Sequence, residues 1–458
     1  MNRFAVAGRW LARALAWLVT GIFLLVVLWY AANRTLDPEF DDSSISMQEV
    51  PDARNAAIAI LGITAPSGTD FREYGLKVKA LYEANVPSER ILDALKGATS
   101  LQPTAETEHS NCWLDPHWPV SDKCPSLKAG REVVRANAEL FRRLRQIHAI
   151  EGYAGNPWQL HSVYLTLTKL SIADMQWDLR RGEYESAYRK WYAQLRFVRM
   201  TVRGTDTWVG RAVGLVAMGL TMPVLEDLFD ADPDIAKRHA TELLALLRPG
   251  GVAAFGPEGV VRGEHVALRR WLQRLGTDES ADDDRMGCLV ERFGQKNRIL
   301  NRYARFAADY ASAMRSPWSE LSKAYEQVRE KHYEPEYWEF VLDPIGSVFV
   351  ADQVDSQLRI RELVRQMHYL DGRLRLATLA VRRINAAVPD AGMAEFLSAA
   401  GSEFRDPFSG RPMQWDPKDR KIYMTDPDER CLVMAWFRLP ASRGTPRPSG
   451  SAVSTHAC

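Results

Sequence analysis

A chain of 458 residues can bury more than one core, and an apolar fraction of 46% excludes wholesale disorder. The formal charge of +1 offers no general attraction for polyanions, so no nucleic-acid partner is expected. Five cysteines leave the redox environment to be settled by topology.

The first element is an uncharged run over residues 14–32, bounded by Ala14 and Ala32. As a helix it would be about 28 Å long, the thickness of a bilayer's hydrocarbon core. Arg3, Arg9 and Arg13 precede it; Asp37, Glu39, Asp41 and Asp42 follow. That asymmetry predicts a cytoplasmic N-terminus and an extracytoplasmic bulk, with Trp10, Trp29 and Tyr30 at the interfaces. A cleaved signal peptide fits less well, because Trp29 or Tyr30 would occupy the position that wants a small residue. The expected location is the bacterial inner membrane, single pass, with residues 1–36 as cytoplasmic tip and anchor.

Residues 37–50 are acidic and serine-rich and read as a tether. Residues 51–125 form an N-terminal helical segment, with amphipathic patterns near 71–84 and 88–96. Cys112 and Cys124 enclose a segment with two prolines that cannot be a regular helix. Outside the cytoplasm such a pair reads as a disulfide worth roughly 3 kcal/mol. His109 and His117 flank Cys112, but the spacing matches no common zinc pattern, and free thiols stay open.

Residues 126–250 read as a helical hairpin domain. The stretch 126–150 places Val133, Val134, Ala138, Leu140, Phe141 and Leu144 on one stripe, and a second apolar helix covers 160–179. Gly182, Glu183, Tyr184, Glu185, Ser186 and Ala187, followed by Trp191, Ala193 and Leu195, resemble the turn and second helix of a tetratricopeptide repeat. Glycine allows the tight turn, and alanine lets the helices close up. A helix pair over 208–229 and 232–248 follows without that signature. Asp230, Asp232 and Asp234 begin like a calcium loop, but Ile235 stands where glycine is needed, so a helix cap explains the acids better.

Residues 251–400 form a second helical region, with helices expected near 258–275, 295–315, 318–332 and 347–388 and an acidic loop over 277–284. The last helix carries Arg359, Arg361, Arg365, Arg373, Arg375, Arg382 and Arg383 beside several acids, which reads as a solvated, salt-bridged face. Residues 401–439 form a small β element with strands near 415, 421–424 and 431–437. Asp406, Pro407, Phe408, Ser409 and Gly410 make its opening turn: Asp406 is biased from helix, Gly410 permits positive φ, and Phe408 anchors the turn. The tail 440–458 is rich in Pro, Gly and Ser and reads as disordered.

A long helix followed by Asp-Pro-Phe-Ser-Gly and a small β element is similar to the C-terminal end of uncharacterised bacterial membrane-anchored proteins with one N-terminal span and a helical extracytoplasmic region. The resemblance implies location and architecture and no catalytic residues. Met424, Thr425 and Asp426 depart from the Tyr-Ser-x-Gly-like ending of that group.

The expected fold is therefore mainly α: one N-terminal transmembrane helix, packed helical hairpins outside the cytoplasm and a small C-terminal β element. Serine-hydrolase elbows, zinc-protease motifs and phosphate-binding glycine loops are missing from the sequence. No catalytic, cofactor-binding or metal residue is assigned, and no cofactor is expected. The sequence points to a non-catalytic interaction or scaffold component of the envelope, with the lipid bilayer and an envelope protein as partners. The alternative is an envelope hydrolase whose site is assembled from distant residues. An exposed apolar groove would favour the first, and a pocket gathering carboxylates or histidines the second.

Overall fold

The structure, a computed structural model, describes residues 17–24, 27, 39–40, 50–83, 127–155, 161–275, 290–291, 294–333, 343–358, 361–424 and 436–439. Cys112, Cys124, the acidic loop 277–284, the tail and most of residues 14–32 lie outside these. The mainly helical class is as expected. The chain divides into two compact units that interleave along the sequence. The larger comprises residues 47–263, 314–322 and 361–458; the smaller, 1–46, 264–313 and 323–360.

In the larger unit α1 (Ala56–Leu61) is buried at every residue, and Asn55 caps it by accepting from the Ala57 amide. The same side chain donates to the Ala154 carbonyl at 2.8 Å and accepts from its amide at 3.1 Å, tying 150–155 to the helix start. α2 (Phe71–Glu83) crosses α1 at Gly62 and Gly75, where an added Cβ would stand 1.6 Å from Phe71 O and 2.1 Å from Ile58 O. Only glycine fits there.

The single helix expected over 126–150 is two, α3 (Leu127–Ala136) and α4 (Ala138–His148). Asn137 leaves helical geometry at φ −107° and ψ 30°, and its side-chain amide donates to the Val133 carbonyl. That local bond competes with the helix. α5 (His161–Arg180) and α6 (Tyr184–Gly204) form the expected hairpin, with Gly182 at φ +74° in the turn. Ala187, Trp191 and Leu195 are completely buried, while Tyr184 is half-buried. Trp191 Nε1 donates to Thr221 O at 3.0 Å, fastening the hairpin to α7 (Trp208–Thr221).

Pro223 starts α8 (Pro223–Ala231), so the helix expected over 208–229 is divided. Among the described residues, Trp208–Ala231 is the segment long and apolar enough to cross a membrane, with mean hydropathy 1.5. Since 61% of it is buried, it serves as core of the larger unit. The described residues 17–24 are helical and expose Trp17, Leu18, Val19, Ile22, Phe23 and Leu24; the anchor over 14–32 otherwise rests on the sequence. The helix expected over 232–248 is also divided, into α9 (Asp234–Arg238) and α10 (Ala240–Leu246). Asp232 accepts from the Asp234 amide at the start of α9.

α11 (Pro257–Arg274) begins in the larger unit, and from Glu264 onward it belongs to the smaller one. There it joins α12 (Lys296–Met314), α13 (Trp318–Tyr333, from Lys323 onward) and α14 (Pro344–Leu358). A column of rings forms the centre of this unit. His265, Tyr303, Phe306, Tyr310 and Tyr325 follow one another with centroids 5.4–5.7 Å apart. Asp343 accepts from the Gly346 amide and caps α14, where Pro344 fills the first position.

Of the helix expected over 347–388, the described parts are helical throughout, as α14 and α15 (Arg361–Asn385), and residues 359–360 lie outside the described residues. α15 belongs to the larger unit; of its arginines Arg361 and Arg382 are exposed as expected, while Arg373, Arg375 and Arg383 are salt-bridged and largely withdrawn from water. Arg373 meets Glu226 at 2.8 Å and Arg375 meets Asp371 at 2.6 Å, with side chains 14% and 15% exposed. Asp371 is fully buried and also accepts from the Gly250 and Gly251 amides.

After α16 (Met393–Ser398) the chain closes in an antiparallel meander, β1 (Gln414–Asp416), β2 (Lys421–Tyr423) and β3 (Trp436–Arg438). Trp415 pairs with Ile422 and Ile422 with Phe437; the last two are buried. In the preceding turn Asp406 accepts from the Phe408 amide and the Ser409 hydroxyl, both at 2.8 Å. Gly410 takes φ +67°, and buried Phe408 sets its ring edge-on to Trp318 at 5.3 Å.

Candidate functional site

A half-open cavity of about 280 Å³ lies between α4, α5 and α6. Each helix supplies one face to it. α4 contributes Phe141, Leu144, Arg145 and His148, spaced so that they stack along one side. α5 brings Ser171, Asp174 and Met175, and α6 brings Arg189, Lys190, Ala193 and Gln194. Where neighbouring positions on these helices carry large side chains, Ser171 and Ala193 carry small ones, and the groove opens between them.

The floor is apolar and the rim is charged. Phe141, Leu144 and Met175 are buried beneath the opening, while Arg145 and Arg189 are exposed at its edge. Lys190 holds Asp174 at 2.5 Å and Asp178 at 2.7 Å. Asp178 is nearly inaccessible and also accepts from the Ser186 hydroxyl at 2.8 Å. The Lys190 pair thus connects the turn end of the hairpin to the groove.

Two further groups define the electrostatics. His148 is buried against Phe197, with ring centroids 4.8 Å apart, and burial aided by the Arg196 charge pushes its pKa down to about 3. It is neutral near pH 7, an apolar wall and not a proton carrier. Glu139, on the outer side of α4, has its pKa held down to about 2, first by its hydrogen bond from Arg142 and also by Arg143.

The volume sits at the lower end for small-molecule sites and suits one or two side chains. Apolar floor, exposed arginines and a fixed ion pair are the makings of recognition by contact and charge. Of the residues singled out from the sequence, Gly182, Tyr184 and Ala187 lie on the hairpin whose helices build the groove. Asp406, Pro407, Phe408 and Gly410 form a self-bonded turn, and none of them lines the cavity. Cys112 and Cys124 fall outside the described residues. Arg145, His148, Asp174 and Lys190 were missed. Their joint signal, small Ser171 and Ala193 on two helices across from a large-residue face on the third, exists only once the helices are paired.

Elsewhere in the larger unit, burial pushes the pKa of Glu226 up to about 7 although Arg373 opposes the shift. Asp309 in the smaller unit holds Lys331 and His332, each at 2.7 Å. Among the described residues no group of three or more His, Cys, Asp or Glu is placed to hold a metal ion. No family model matches this chain, and no curated protein or solved structure gives a match either.

Proposed function

We propose that this chain is a single-pass, membrane-anchored helical protein of the bacterial envelope, N-terminus inside, that docks a partner protein at the α4–α6 groove. The anchor reading is supported by the uncharged run over 14–32 and its arginine-rich N-terminal flank. The docking reading is carried by one observation: a groove with an apolar floor whose rim exposes Arg145 and Arg189. Those charges favour a partner segment that inserts one apolar side chain and carries carboxylates beside it. The role is one of interaction, not catalysis.

A photoreactive amino acid at position 145, introduced in cells, tests the docking. A discrete crosslinked product is expected, and Ala193→Phe, which fills the groove, abolishes it. A product unchanged by Ala193→Phe overturns the docking. Alkaline phosphatase fused within the tether should be active; an inactive fusion refutes the orientation.

A further inference from the structure

The segment that leaves the proposed anchor does not run free of the smaller unit. The Phe40 ring lies over the ring of His265, centroids 5.3 Å apart and planes 17° from parallel. The Arg269 guanidinium sits 5.2 Å from the Phe40 centroid, within cation–π range. Asn301 Nδ2 donates to the backbone carbonyl of Glu39 at 3.1 Å. His265 and Arg269 are one turn apart on α11, and Asn301 faces them from α12. This is ring, cation and amide donor around two residues.

The seat is built into the unit. His265 is 1% exposed and passes directly to Tyr303, so Phe40 extends the central column of rings by one member. Charge runs the same way. Phe40 stands among Asp37, Glu39, Asp41 and Asp42. Arg298 and Arg305 lie three residues before and four after Asn301 at helical spacing on α12, and Arg269 stands over Phe40 itself, so the helices that hold the segment are basic.

We propose that the α11–α12 cleft is a peptide-binding site for short acidic segments bearing a phenylalanine, filled in this chain by its own Glu39 and Phe40. A ring on the column under the Arg269 guanidinium and a backbone carbonyl on Asn301 are what it reads, and the acidic sequence around Phe40 matches its arginines in charge. A tethered occupant acts at an effective concentration near millimolar, so a free segment of the same chemistry has to compete with it. The cleft is self-occupied, and a partner segment gains access by displacing the tether.

The test uses the full chain in nanodiscs and a fluorescein-labelled peptide of residues 36–43, read by anisotropy. Phe40→Ala in the protein should increase peptide affinity at least tenfold over the wild type, because the competing segment is lost. The peptide with its own phenylalanine changed to alanine should bind neither protein. Adding Arg269→Ala to the Phe40→Ala protein should weaken binding, with unchanged far-UV circular dichroism showing that the fold is kept. Equal affinity for wild type and Phe40→Ala overturns the proposal. So does binding that survives loss of the peptide's phenylalanine, or no binding to the Phe40→Ala protein at millimolar peptide.

Discussion

The two units fill their interiors by different means. The smaller stacks aromatic rings between α12, α13 and α14. The larger combines long helices of 20, 21 and 25 residues with short ones of 6, 9, 5 and 7, and arginines tie helix ends together. Every helix leaves its last carbonyls without partners inside the helix, so many short helices bring many such oxygens inward. Arg143, 1% exposed, donates to the carbonyls of Ile63, Ala65 and Pro66 just beyond α1. Arg196 donates to His148 O at the end of α4, and Arg211 to Thr205 O past α6. Arg199 reaches Leu246 O and Arg248 O at the end of α10. Lys296, bonded to Leu275 O past α11, is a lysine counterpart in the smaller unit. A guanidinium offers five donors in a fixed fork and serves two or three carbonyls at once, which a lysine cannot match in the same geometry.

The contrast is most exposed to failure at Arg143. Arg143→Ala should lower the stability of the larger unit by about 3–5 kcal/mol, since three carbonyls lose their donor together. A urea midpoint that moves by the equivalent of less than about 1 kcal/mol would show that these oxygens find other partners. Arg143→Lys should recover only part of the loss.

A smaller effect concerns pH. His148 and His368 are neutral in the fold, with pKa values pushed down to about 3 and about 4, chiefly by burial. Each takes up a proton on unfolding below about pH 6.5, so each lowers stability as pH falls. Glu226, raised to about 7, does the reverse: between about pH 7 and 4.5 it holds a proton in the fold that it releases on unfolding. Among these three groups the balance from pH 6.5 to 4.5 is one proton, a contribution of about 1.4 kcal/mol per pH unit to the fall in stability. Glu226→Gln removes the opposing group and should steepen the fall by about as much again, read from urea midpoints across the range. An unchanged slope would mean that Arg373 keeps Glu226 ionised throughout.

The smallest effect provides the sharpest control. Arg142 sits beside Arg143 and shares Glu139 with it, at 2.6 Å, but it is exposed and its described partners are side chains on its own helix. Arg142→Ala should leave the urea midpoint where it is, as exposed ion pairs contribute little. A loss comparable to that of Arg143→Ala would assign the stabilisation to Glu139, not to the carbonyls.

Much of the helical layout was legible because apolar spacing and turn chemistry are local. Gly182 marked its hairpin by the left-handed turn that glycine takes there, and Asp406 to Gly410 marked theirs by an aspartate that bonds its own turn. The break at Asn137 was not legible, since the apolar stripe runs through it. Pro223 was a visible break, but it was absorbed into a continuous helix. Arg373 and Arg375 of α15 were misread for a different reason. Charge beside charge on a helix looks the same whether the face meets water or, as with Arg373 and Glu226, another helix. The groove was beyond reach, because Arg145, Asp174 and Lys190 become neighbours only when three helices are assembled.

The seat of Phe40 sets a length of leash. If residues 14–32 lie in the bilayer, the chain from Ala32 to Glu39 reaches at most about 25 Å. With the ring in place, the smaller unit rides close to the lipid surface. Counted from Ala32 to Val50, the chain could span at most about 60 Å once the ring leaves. A single aromatic contact thereby decides how far from the membrane the protein can search for what it binds.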